Sequence, residues 1–121
     1  MPYADTDFFL AIIKDSDWLK ESALKKYSEY RGRIWTSAAT LIEIMFFAKK
    51  VGLDAEEVVV DALDIAELRG ADRSTFLLAA HYVKHKGTNV LDALHAAFCG
   101  NDEIISSDAV FDELGLKRIK L

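Results

Sequence analysis

The stretch Glu103–Leu121 reads EIISSDAVFDELGLKRIKL. Its first four residues, EIIS, centre on two β-branched isoleucines and read as a strand, while AVFDEL reads as a short helix and KRIKL as a last strand. The same alternation extends toward the N-terminus. Tyr3 to Asp5 is a short apolar strand ending in an acid, and Arg33 to Ser37, RIWTS, is another strand. Between and after them lie helical segments. Asp15–Trp18, DSDW, supplies caps for a helix to about Tyr30, and Ser37 is placed to cap a helix ending near Gly52. Asp54 and Glu57 form a capping-box pattern before Val58, Val59, Ala62, Leu63 and Ala66. After a break at Arg69–Asp72, one helix runs from about Ser74 to Gly87 and another from Asn89 to Gly100. Single strands separated by helices predict an α/β domain with a mainly parallel central sheet flanked by helices. With 121 residues and no linker, repeat or low-complexity tract, the chain reads as one domain over 1–121.

The helix after Ser37 contains an anomaly. TLIEIMFFA, Thr40 to Ala48, is apolar except for two residues, and one of those two is a carboxylate, Glu43. An unpaired buried carboxylate costs several kcal/mol, so roughly that much must be compensated. Asp92 is likewise the one acid in VLDALHAAF. In open parallel sheets ligands bind beyond the carboxyl ends of the strands, and Asp5 and Asp108 lie at two such ends. Glu43 and Asp92 make sense if their helices point them at the same rim. Four carboxylates brought together raise one another's pKa values, and a hard divalent cation such as Mg²⁺ or Mn²⁺ removes that conflict. A metal ion is therefore the expected partner of Glu43.

Each acid also has a local explanation. Asp92 occupies the N3 place of a capping box begun by Asn89, and Glu43 has Lys49 and Lys50 within reach. Asp5 and Asp108 can serve as turn or helix caps.

The bulk composition narrows the classes. At 51% hydrophobic and 29% charged residues the chain is globular, and its apolar runs are too short for a membrane span. The N-terminus lacks the pattern of a signal peptide, so a cytoplasmic location is the expectation. One cysteine, Cys99, leaves no intrachain disulfide or multi-cysteine zinc site and reads as a small core residue. A formal charge of −5 argues against nucleic-acid binding unless metal ions offset the acids.

Four ordered segments, YADTDFF, SAATLIEI, NVLDALHAA and IISSDAVFDELGLKRI, resemble a PIN domain, specifically the small VapC-type toxin nucleases. The likeness spans essentially the whole chain. The family's opening D-T-N corresponds to Asp5-Thr6-Asp7, its helical glutamate to Glu43, its D-A-L-x-A-A to Asp92–Ala97, and its T-x-D-x-x-F to Ser106, Asp108 and Phe111. Two positions depart from the pattern: Asp7 stands where asparagine is usual, and Ser106 where threonine is. The resemblance implies a three-layer fold and hydrolysis of RNA phosphodiester bonds assisted by one or two Mg²⁺ or Mn²⁺ ions. Asp5 and Asp92 would be the main ligands, Asp108 and Glu43 would complete the set, and Asp7 and Ser106 would support it. It also implies an RNA substrate, a cognate antitoxin and a homodimer.

Two other readings compete. DTD, Asp5 to Asp7, matches the D-x-D opening of haloacid-dehalogenase phosphatases, with Asp5 as nucleophile and Asp7 as general acid. That scheme leaves Glu43 and Asp92 unused and lacks its lysine, since GNDEIISS contains none. A silent module that keeps the scaffold and binds a partner is the other, and an intact acid set argues against it. His81 and His85 have helical i, i+4 spacing, yet HYVKH lacks the glutamate of a zinc peptidase helix. His95, three residues beyond Asp92, reads as a packed histidine with reach toward a substrate phosphate.

Overall fold

The computed structural model describes residues 1–121. In chain order its elements are β1 (Tyr3–Ala4), α1 (Thr6–Ile13), α2 (Lys20–Tyr30), β2 (Trp35–Thr36), α3 (Ala38–Val51) and α4 (Ala55–Ile65). They continue as β3 (Glu67–Leu68), α5 (Arg73–Lys86), α6 (Val90–Cys99), β4 (Ile104–Ser106), α7 (Val110–Glu113) and β5 (Arg118–Lys120). The five strands form one sheet in the order β3-β2-β1-β4-β5, and every pairing is parallel.

Parallel sheets are buried on both faces, and here each strand divides its side chains between two cores. Ala4, Ile34 and Ile105 point into one core with Phe8, Phe9, Ala23, Ile44 and Ala62, from helices α1 to α4. Their strand neighbours Tyr3, Trp35 and Ile104 point into the other, with Ala96, Cys99 and Phe111 from α6 and α7. The third layer is extended by α5, whose Ala79 packs with Ala93 and Ala97 of α6. The three-layer arrangement is the one expected.

Local chemistry sets the element boundaries. Asp54 accepts hydrogen bonds from the backbone N–H of Glu56 and Glu57 and starts α4 as its position suggested. Gly52 ends α3 at φ +78, a left-handed conformation that glycine adopts without steric cost. Ser37 sits at the N-cap of α3, but its hydroxyl bonds the Tyr3 hydroxyl at 2.8 Å and leaves the capping role unfilled. DSDW precedes α2 rather than opening it: Asp17 closes a turn onto the Leu19 N–H at 2.8 Å, and the helix begins at Lys20.

Two elements escape the sequence pattern. Thr6–Ile13, TDFFLAII, ends in six consecutive apolar residues that read equally well as a buried strand, yet Asp5 caps it as a helix and it buries Phe8, Phe9 and Ala11. Strand β3 is two exposed edge residues paired only to β2.

Ile105 is fully buried on β4, between β1 and β5. Ile105→Ala is expected to cost about 2–5 kcal/mol, through lost burial and an incompletely closed cavity. Urea unfolding should show a lower midpoint with an unchanged slope.

Candidate active site

The chain lays β1 at the centre of the sheet, adds β2 and β3 on one side, then returns to place β4 and β5 on the other. The order therefore reverses between β1 and β4, and a crevice opens at their carboxyl ends. A pocket of about 240 Å³ lies there, lined by Asp5, Thr6, Asp7, Leu10, Glu43, Asp92, His95 and Asp108. All four acids singled out from sequence line it, together with Asp7. No lysine or arginine is among the lining residues.

Each carboxylate reaches the pocket from a different element and is held by its own hydrogen bonds. Asp5 follows β1 and is only 6% exposed. Its Oδ1 accepts from the Asp7 N–H at 3.2 Å, and its Oδ2 accepts from the Ser106 hydroxyl at 2.7 Å. Ser106 Oγ in turn accepts from the Asp108 N–H at 3.0 Å, so one buried hydroxyl at the end of β4 ties the two rim acids together. Asp108 is exposed, and its Oδ1 takes the Val110 N–H at 2.9 Å. Asp7 Oδ2 accepts from both the N–H and the hydroxyl of Ser107. Asp92 lies in the first turn of α6, where its Oδ2 accepts from the Asn89 side-chain amide at 2.6 Å. Asp5 caps α1 as anticipated, whereas Asp108 closes a turn just before α7, whose N-cap is Ala109, and both roles coexist with a place in the pocket.

Glu43 is tethered twice through a single oxygen. Its partners are protein groups rather than Lys49 or Lys50: Thr6 Oγ1 donates to Oε1 at 2.7 Å, and His95 Nε2 bonds the same oxygen. His95 is the residue whose part was under-read. It is 2% exposed and lines the pocket. The signal was available: i, i+3 residues share a helix face, so whatever aims Asp92 at the rim aims His95 there too.

The electrostatics follow from burial and like charge. Burial pushes the Asp5 carboxyl well above the usual aspartate range, and the neighbouring Asp7 carboxylate raises it further. Burial also raises Asp92 against the Asn89 hydrogen bond, and the charges of Asp108 and Glu43 add to the rise. For Glu43 burial pulls upward, but the bonds from His95 and Thr6 prevail and hold it below its ordinary value.

The residues present fit a hard divalent cation. The donors are carboxylate oxygens, the preferred ligands of Mg²⁺ and Mn²⁺. Asp7 Oδ1 is buried with no hydrogen-bond donor, and Asp5 beside it bears the cost of charge without a counter-ion. As tethered, no three of these side chains crowd closely enough to hold an ion between them.

The other candidates lie apart. His81 and His85 stack at 4.6 Å on the exposed face of α5, and no third ligand groups with them. Cys99 is buried in the second core, where desolvation pushes its thiol up to about 12. No helix is long and apolar enough to cross a membrane.

Comparison with known proteins agrees with this fold. The family model for the PIN domain matches residues 3–117. VapC20 of Mycobacterium tuberculosis, described as a sarcin–ricin loop cleaving toxin, superposes with a TM-score of 0.81 at 18% identity and covers 100% of both chains. FitAcB of Neisseria gonorrhoeae gives 0.74 at 15% identity over 98% of this chain and 96% of that one. VapBC2 of Rickettsia felis, bound to a DNA fragment from its promoter, gives 0.72 at 15% identity over 100% and 99%. No curated protein matches by sequence.

The raised Asp5 pKa has a definite sign. The folded state holds the Asp5 proton more tightly than the unfolded chain, so this group favours folding below the ordinary aspartate pKa of about 3.9 and loses that contribution as pH rises through the folded value. With chelator present, Asp5→Asn should raise the melting temperature near neutral pH by several degrees, each ~1 kcal/mol being worth about 4 °C. The gain should vanish toward pH 4, read by thermal unfolding across a pH series.

Proposed function

The chain belongs to the PIN domain family, and from that premise we propose that it is a metal-dependent endoribonuclease, the toxin component of a toxin–antitoxin pair. The observation that carries this reading is that Asp5, Glu43, Asp92 and Asp108, spread along the whole chain, line one pocket at the switch point of the sheet. A phosphatase scheme built on Asp5 and Asp7 leaves Glu43 and Asp92 without purpose, and a silent scaffold has no reason to bury Asp5 beside Asp7.

In the proposed site Asp5 and Asp92 would hold Mg²⁺ or Mn²⁺, and Asp108 and Glu43 would complete the set for one ion or two. Such an ion supplies charge neutralisation for a scissile phosphate and lowers the pKa of water. The remaining work belongs to the chain. Ser106, donating to Asp5 and accepting from the Asp108 backbone, keeps these two acids in register. Asp7, gripped by Ser107, adds a negative charge deep beside Asp5. A second depression of about 420 Å³, which shares Asp92 and is lined by Lys86, Thr88 and Asn89, offers a path for the polynucleotide next to the acids. Lys86 would meet a phosphate there.

The protein partners have surfaces available. Ile42, Met45 and Phe46 of α3 are exposed, Phe46 to 71%, and Val60 of α4 lies beside Met45 in the same apolar depression. Phe76, Leu77 and Val83 are exposed on α5. Apolar groups gathered this way mark interaction sites, and an antitoxin and a second copy of the chain are the proposed occupants. A cytoplasmic location belongs to the same reading.

The decisive experiment is cleavage of structured RNAs, ribosomal RNA included, with and without Mn²⁺. Asp5→Asn and Asp92→Asn should each lower the rate at least ~100-fold, since several kcal/mol of charge stabilisation depends on the ion. Activity that survives chelation, or full activity in Asp92→Asn, would overturn the assignment.

A further inference from the structure

Glu43 is half-buried in the pocket wall, and both of its hydrogen bonds fall on Oε1. Oε2 is left free. Behind His95 the bonding continues inward: its Nδ1 lies 2.7 Å from the Tyr3 hydroxyl, which lies 2.8 Å from Ser37 Oγ. Tyr3 and Ser37 are fully buried. The chain Ser37–Tyr3–His95–Glu43 therefore joins the end of β2, strand β1, helix α6 and helix α3, running from the core to the rim.

The directions of these bonds follow from donor counting. Glu43 in its ionised form only accepts, so His95 Nε2 carries a proton. In the neutral ring Nδ1 is then an acceptor, which requires the Tyr3 hydroxyl to donate to it and the Ser37 hydroxyl to donate to Tyr3. Burial raises the Tyr3 phenol far beyond its ordinary range, so that proton stays in place. A buried tyrosine thus selects the tautomer of a histidine, and the histidine fixes one oxygen of a carboxylate.

We infer that His95 is a positioning residue that, locked by Tyr3 and Ser37, clamps Glu43 through Oε1 so that Oε2 faces the pocket for a divalent cation. This deepens the proposed function and rests on it. The arrangement matches the general design in which the groups behind a metal ligand set its orientation, here with histidine behind a carboxylate. It also explains why Ser37 forgoes its helix-capping bond: its hydroxyl is committed to the far end of this chain.

The test separates the two ring nitrogens. In His95→Gln the side-chain amide can occupy the place of Nε2 and still donate to Glu43, whereas His95→Asn reaches only the place of Nδ1. Titration calorimetry with Mn²⁺ should show affinity reduced about 10–100-fold in His95→Asn, as is usual for loss of a group supporting a ligand. His95→Gln should stay within a few-fold of the wild type, and His95→Asn added to Glu43→Gln should cost nothing more. Equal losses in the Asn and Gln variants, or additive loss in the double variant, would overturn the inference, because a general packing defect behaves that way.

Metal-free protein supplies an independent readout. Long-range ¹H–¹⁵N spectra should show the His95 ring protonated at Nε2, and a ring bare at Nε2 would overturn the clamp. Where His95→Asn does not fold, Tyr3→Phe keeps the ring packing and removes the proton offered to Nδ1. A mixture of tautomers and several-fold weaker Mn²⁺ binding are then expected, and an unchanged ring would count against the scheme. If the wild type binds no Mn²⁺ at all, the nuclease reading fails, and the ring spectra decide alone whether His95 holds Glu43.

Discussion

Negative charge accumulates where the carboxyl ends of β1 and β4 meet, and the rest of the molecule is arranged around that conflict. Asp5 is almost completely buried, Asp7 sits beside it with one oxygen lacking any donor, and Glu43, Asp92 and Asp108 line the same pocket. Like charges in such a setting are strained, because an apolar surround screens them poorly. Only a scaffold stabilised elsewhere can keep them together. That stability comes from two apolar cores, one on each face of the sheet, which the strands feed alternately through pairs such as Tyr3 and Ala4 or Ile104 and Ile105.

The hydrogen bonds at the site share a pattern. Glu43 is tethered through Oε1, Asp92 through Oδ2 and Asp108 through Oδ1, each leaving its second oxygen without a bond inside the protein. Asp5, the deepest, accepts one hydrogen bond on each oxygen, which leaves each a second lone pair for an ion. One fixed oxygen orients a side chain; one free oxygen leaves it able to bind. Holding the carboxylates in place before a ligand arrives removes part of the entropy that ordering them would otherwise cost. The strain and the readiness to bind have the same origin.

Strong local signals made much of this legible. The strands at Trp35, Ile104 and Arg118 stand where β-branched or aromatic residues lie between helical segments, and α4 starts at the Asp54 cap. Glu43 and Asp92 were found because a lone carboxylate in an apolar helix is expensive whatever the fold, and Asp5 and Asp108 because they stand at the carboxyl ends of strands. Helix α1 was missed. In TDFFLAII the six consecutive apolar residues Phe8–Ile13 read equally well as a buried strand, so the run alone does not announce a helix. Strand β3 was missed because two exposed edge residues, Glu67 and Leu68, carry no apolar pattern. Ser37 was assigned a cap it does not make, since nothing near it in the chain announces Tyr3 as a competing partner.

Residue type and spacing alone determined the class of fold and the acids that need company, because burial costs and helix periodicity act over a few neighbouring residues. Which partners Glu43 receives was decided by tertiary structure. Nothing near Glu43 in the chain announces His95 and Thr6, which hold one of its oxygens and lie far from it along the sequence. Hydrogen bonds are satisfied by whatever donor stands within about 3 Å. The sheet topology, which brings α1, α3 and α6 to one rim, selects that donor.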